Sequence, residues 1–582
     1  MVPILLPLLA AGLLQATAPE PGAADLILHG GRVWTLDPSR PEARAVAVRG
    51  NHIVRVGTDA EVLALRGAGT HTEDLGGRLL LPGFTDAHTH FENACDWLFR
   101  VALYETRSTA DIVERLRPAL ARVPRGMWIQ GGDFGAEVAW RAAARGESPP
   151  APWVPDLAVL DAEAPDHPVV LRRVDGAYFA NTRALERARF TPDTPDPRGG
   201  RIEKDTAGRL TGMLYGRAGE RMVELMPPPS LASKLVGARA ALADLARAGI
   251  TSIHDVARLD EVSRRHVFHT HVERSSTDLG VFRELQRRGE LSVRVYALLG
   301  LHVWKDLLEA GIRPRSDEGL IRYGGLKAFV DGFLMDEPYL DNPRYSGAFT
   351  FRFVDEAAIA QDIAGADRAG FDPAIHTVGD KAHRLLLDWY EAAVAQNPPR
   401  DRRFRVVHAW YPSAREIARM GRLGLIADIT PNHLVRGLRS IDRSLGPERS
   451  RTAHAWRSLM DAGLRLNVVS DWPGSYNEQE ATPLSPLENI ALAVSRQAPD
   501  GTPPGGWHPA QRLTVAEAVA AYTANPAFAS YEEDRKGAIR EGHLADLVVL
   551  SRDIRGLEAD AIRGTSVDLT VLGGRVIYRR ER

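Results

Sequence analysis

Apolar and polar residues alternate over short runs at both ends of the chain, and turn signals separate the runs. LILHGGRVWTLD, AVAVRGNHIVRVG and GGRLLLPG predict short strands from Asp25 to about Leu79, and ADLVVLSRD and LTVLGGRVIYRR predict more near the other end. The GGRV of Gly573 to Val576 echoes that of Gly30 to Val33, so the two β-rich ends are expected to pair into one small domain. Between them, apolar strand-like runs alternate with helical stretches such as LASKLVGARAALADLARAG and DEAAIAQDIAGADRAG. That alternation is the pattern of βα units around a parallel sheet, and it predicts an α/β TIM barrel. Stretches rich in Pro and Gly at Pro149 to Pro155, Thr191 to Gly200 and Asp500 to Gly506 are expected to be surface loops or insertions.

The run Ile4 to Leu14 is too short to span a bilayer and is followed by small residues, so residues 1–24 are expected to be a signal peptide and the protein to be exported, periplasmic or secreted. Two features run the other way. There is no Lys or Arg before the run, and Pro19 follows the Ala-x-Ala site at Ala18, which leaves an uncleaved, cytoplasmic chain as the alternative. No later run is long enough for an integral membrane segment.

Composition narrows the chemistry. With 73 Lys and Arg against 75 Asp and Glu in 582 residues, no basic excess argues for nucleic acid or a membrane surface. The single cysteine, Cys95, excludes an intramolecular disulfide framework and a cysteine-rich zinc site, so His, Asp, Glu or a modified side chain must hold any metal.

The strongest candidate is Pro82-Gly83-Phe84-Thr85-Asp86-Ala87-His88-Thr89-His90. In an extended strand, residues two apart share a side, so His88 and His90 can face one ion. Alone, the pair is weak evidence for a metal, and the other reading is two solvated or hydrogen-bonded histidines at a strand end. Four more strand-like runs end in chemistry: Lys327 after LIRYGGL, His376 after FDPAI, His408 after FRVV and Asp471 after LRLNVVS. A charged group closing an apolar strand is costly unless paired or ligating metal, and C-terminal strand ends of a TIM barrel converge on one site.

These segments, with GITSIHD, GLKAFVDG, IHTVGDKA, VVSDWP, AVAAYTANPA and KGAIREGHLADLVVL, resemble the amidohydrolase superfamily and its family 3, or YtcJ-like, branch over nearly the whole chain. The resemblance implies a TIM barrel over residues 80–542 with insertions. It also implies a small β-sandwich built from residues 25–79 and 543–582. It makes His88 and His90 ligands of a first divalent ion on strand 1, His376 and His408 ligands on strands 5 and 6, and Asp471 the strand 8 carboxylate. Lys327 matches a strand 4 lysine that is carbamylated in binuclear members and bridges two ions; the other reading is an unmodified Lys327 paired with Asp331 or Asp471. One or two ions are implied, zinc first, with manganese or iron also suited to these donors.

The activity implied is hydrolysis of a non-peptide carbon–nitrogen bond in a small molecule, an amide, formamide, carbamate or cyclic amide. Metal-activated water attacks, with Asp471 as the proton carrier and Lys327 as the second catalytic group. An ester or lactone hydrolase of the same fold, or a silent binding protein, is the alternative. A homodimer is a further implication. Trp128, Gln130 and Asp133 match a segment near the family site, and His254, Asp331, Asp380 and Trp472 stand beside the candidate ligands, Asp380 foremost as an orienting partner. Two departures stand out: Ala177 replaces a histidine the family has after Asp175-Gly176, and Val407 replaces a carboxylate before His408.

Overall fold

The computed structural model describes residues 22–97, 99–103, 105–135, 153–226, 230–257, 278–331, 356–438, 441–446, 448–474 and 484–581. The expected signal segment, up to residue 21, and part of the Pro149 to Pro155 loop lie outside them.

Eight parallel strands form the central sheet: β1 (Phe84–Thr89), β2 (Ile250–Asp255), β3 (Arg294–Gly300), β4 (Ile321–Phe329), β5 (Asp372–Thr377), β6 (Arg405–His408), β7 (Ile426–Ile429) and β8 (Arg465–Val468). They lie side by side in chain order, joined by helices such as Glu356–Arg368 and Asp380–Gln396, as a TIM barrel requires. The β1–β8 seam closes beyond β8. Asp471 N donates to His88 O at 3.1 Å and His90 N to Trp472 O at 2.8 Å, while the Asp86 carboxylate accepts from Ser470 N at 3.2 Å and from the Ser470 hydroxyl.

Apolar side chains fill the space between strands and helices, and the barrel interior holds a smaller packed group of Tyr296, Leu298, Ala374 and Val407. Val407, the departure from the family pattern, thus completes an apolar layer. Arg405 is also buried within the barrel, its guanidinium 2.6 Å from Asp428 Oδ2.

Both chain ends meet as the alternation predicts. Leu79–Pro82 pairs antiparallel with Leu547–Leu550 in a six-stranded sheet, and Leu26–His29, Ala45–Arg49, His52–Gly57 and His71–Asp74 form a four-stranded one. Leu26, Val46 and Val48 of the second pack with Leu80, Val549 and Val571 of the first, so the sheets share one core. Gly83 then carries the chain straight into β1; a Cβ there would lie 2.2 Å from Thr251 Oγ1, which leaves room only for glycine.

One element has no counterpart in the sequence reading. Between β1 and β2 the chain builds a separate six-stranded sheet from Arg100–Ala102, Ile129–Phe134, Val169–Arg173, Tyr178–Ala180, Gly200–Lys204 and Leu210–Gly216, with its own apolar clusters.

Candidate metal centre

β1 is buried along its length, and His88 near its end projects its imidazole to the same place as His90 just beyond it. Their Nε2 atoms lie 3.3 and 3.1 Å from Asp471 Oδ1. The other carboxylate oxygen, Oδ2, faces His433 Nε2 at 3.6 Å and His408 Nε2 at 4.0 Å. Lys327, on β4, brings Nζ within 3.1 Å of His88 Nε2 and sits over the Phe329 ring. His376, closing β5, stacks edge-on to His408 with ring centroids 4.6 Å apart. All six positions expected to ligate therefore stand at the C-terminal ends of β1, β4, β5, β6 and β8, around the Asp471 carboxylate and its neighbours.

The backbone is bent to achieve this. His408 and Asp471 have φ of +74° and +59°, a region costly for residues with a Cβ and often found where function fixes the geometry.

Electrostatics favour a cation. Burial, then the charge of Lys327, keeps the His88 imidazole well below its usual range, and burial does the same for His408, so both present neutral lone pairs at neutral pH. Burial opposes the Asp471 charge, but hydrogen bonding from His90 and the surrounding imidazoles outweigh it and keep the carboxylate ionised. Burial pushes the Lys327 amine down to about 7. Two sets of donor atoms, His88–His90–Asp471 and His408–His433–Asp471, each lie within 4.8 Å of one another. Neutral imidazoles with a carboxylate and no thiolate suit a divalent ion of the zinc type, so the residues fit a metal.

His433 was absent from the sequence reading. It follows β7 in Thr430-Pro431-Asn432-His433, after the apolar run GLIADI; a strand-like run ending in a ligand-type residue was the signal that could have found it.

The remaining expected residues divide. Asp331 accepts from Val378 N at 3.0 Å and Gly379 N at 2.7 Å, so it fixes the turn that follows His376 rather than pairing with Lys327. Trp472 supplies the backbone carbonyl that His90 N binds, and its own N–H donates to Ser470 Oγ at 3.0 Å. Asp380, expected to orient a ligand, holds Arg449 at 2.8 Å and accepts from Lys381 N at 2.8 Å. His254 lies within the barrel, Nδ1 3.1 Å from Arg405 Nη1. Trp128 packs against a cluster of Val170 and Leu214 from the inserted sheet and Met222 from the helix Arg217–Leu225, and Gln130 is a half-buried residue of that sheet. The side chain of Asp133 lies outside the described residues. The Asp175-Gly176 departure falls on a hairpin turn of this sheet, where Asp175 binds Arg173 through two hydrogen bonds of 2.8 Å.

The amidohydrolase family profile matches residues 71–578. The chain belongs to this family. It is 30% identical to Protein LONG AFTER FAR-RED 3 of Arabidopsis thaliana, an alignment covering 99% of this chain and 95% of that one. It is 27% identical to the N-substituted formamide deformylase of Arthrobacter pascens, over 96% and 98% of the two chains. The fold matches that of a metal-dependent hydrolase of Pyrococcus furiosus with a TM-score of 0.65 at 23% identity, covering 91% of this chain and 99% of the other. The donor sets described above are ones that could hold a metal ion in a chain of this family.

Proposed function

We propose that the chain hydrolyses a non-peptide carbon–nitrogen bond in a small molecule, an amide, formamide, carbamate or cyclic amide, using one or two divalent ions, zinc first. The observation that carries this reading is the Asp471 carboxylate, one oxygen turned to His88 and His90 and the other to His408 and His433. His88 and His90 would hold one ion, and His376 and His408 would serve a second. A divalent ion bound here lowers the pKa of water and polarises a carbonyl.

The chain's own groups supply the rest. Asp471, ionised among imidazoles, takes the proton from the attacking water and returns it to the leaving nitrogen. Lys327, with its amine near 7, has an uncharged fraction at neutral pH that can take up carbon dioxide. The carbamate so formed replaces a buried cation with an anionic oxygen donor beside His88. The deformylase named above supports N-substituted formamides as the first class to assay.

The test uses protein purified without chelators and N-substituted formamides, carbamates and cyclic amides, with matched esters alongside. Release of amine, lost on chelation and restored by zinc, is the expected result. Ester cleavage without any carbon–nitrogen cleavage would overturn the bond assignment. Export, proposed from the run Ile4 to Leu14, is tested by N-terminal sequencing of protein recovered outside the cytoplasm.

A further inference from the structure

His433 is a histidine that the six-ligand set does not include. Its Nε2 lies 3.6 Å from Asp471 Oδ2, and its ring stacks on that of His408, 5.5 Å between centroids and 29° between planes. Both this distance and the 4.0 Å from His408 Nε2 to the same oxygen exceed a direct hydrogen bond. Three donor atoms thus surround one point without bonding one another.

The four residues Thr430 to His433 are tied to both neighbours of that point. Thr430 Oγ1 lies 3.0 Å from His408 Nδ1, which occupies the far ring nitrogen and leaves Nε2 turned toward Asp471. Pro431 starts the helix Pro431–Gly437, its fixed φ suited to that position. Asn432 Nδ2 donates to Ser470 O at 2.9 Å, which anchors the turn to the residue preceding Asp471, and Asn432 Oδ1 accepts from His433 N at 3.1 Å.

We infer that His433 is a ligand of the second divalent ion, so that His408, His433 and the Oδ2 face of Asp471 form a three-donor site from β6, the β7 turn and the β8 end. The inference rests on the metal-hydrolase reading and adds a ligand to it. Two imidazoles and a carboxylate are a sufficient protein donor set for zinc, with a position left open for water or substrate. Asp471 would then offer one oxygen to each donor set, whether or not Lys327 is carbamylated.

The experiment is zinc binding to chelator-stripped full-length protein, followed by calorimetry and by metal analysis after dialysis, for the wild type, His433→Gln and His88→Asn. The expected result is two ions in the wild type and one in His433→Gln, the affinity for the second ion falling by roughly 100-fold or more, the upper end of what loss of even an outer partner produces. His88→Asn should lose the other ion and keep the one at His433. Equal ion count and affinity in the wild type and His433→Gln would overturn the inference, as would a single wild-type ion that persists in His433→Gln. No bound zinc in the wild type would sink the metal-hydrolase reading and the inference together. Should His433→Gln fail to fold, the anomalous signal of zinc-loaded wild-type crystals decides: an ion on His433 supports the inference, and ions that leave His433 without one overturn it.

Discussion

Lys327 Nζ lies 3.1 Å from His88 Nε2, a buried amine facing a buried neutral imidazole. A charged ammonium there gains little from the ring and suffers desolvation, which is why burial lowers its pKa to about 7. Carbamylation removes the conflict by replacing the cation with an oxygen anion. Protein equilibrated with 13C-bicarbonate should therefore show one carbamate carbon resonance that Lys327→Ala lacks. The same resonance in both proteins would place the modification elsewhere.

Among the described residues, Asp471 faces both histidine pairs and keeps its charge. Asp471→Asn keeps the shape and removes the base, so kcat should fall by about 10²–10⁴-fold, the usual worth of a positioned proton carrier. Steady-state kinetics at saturating zinc measures this, and a fall of less than tenfold would remove Asp471 from that role.

Within the barrel, Arg405 is held by Asp428, which Asn467 Nδ2 also binds at 2.8 Å. Removing the carboxylate strands a buried guanidinium. Asp428→Ala should cost about 3–5 kcal/mol in denaturant unfolding, because breaking one side of a buried pair leaves an uncompensated charge. Unfolding within about 1 kcal/mol of the wild type would mean that other groups solvate Arg405.

His383, inside the helix Asp380–Gln396, is buried with Nδ1 2.6 Å from Gly379 O, and burial lowers its pKa from 6.5 to about 4. The unfolded chain takes up this proton near pH 6.5 and the folded chain only near 4. Its contribution is therefore complete above pH 6.5 and is lost as pH falls toward 4, by about 3 kcal/mol in all. The stability difference between wild type and His383→Gln should shrink by that order across this window. A pH-independent difference would contradict the shift.

Much of this was legible in the chain. Lys327, His376, His408 and Asp471 each close an apolar run, and a parallel barrel brings such ends together whatever their separation in sequence. His433 escaped because β7 is only four residues long and the histidine follows it by four, after the proline that opens a helix. The inserted sheet escaped for a related reason. Arg100–Ala102 and Tyr178–Ala180 have three residues each, too few to show a period, and Arg100 pairs with Gln130, thirty residues on. With that sheet unseen, the motif alone places Trp128 and Gln130 near the family site, although Trp128 packs in a separate core and Gln130 lies on the inserted sheet. The Asp380–Arg449 pair spans 69 residues and leaves no local trace in the sequence.

The central claim is a bridged pair of divalent ions around Asp471, and metal per chain tests it most directly. For wild-type protein purified without chelators, elemental analysis should find about two divalent ions per chain, falling to one or none in Lys327→Ala, the loss expected when one ligand of a shared site is removed. A single ion, unchanged by that substitution, would contradict the account and leave a mononuclear site on His88, His90 and Asp471.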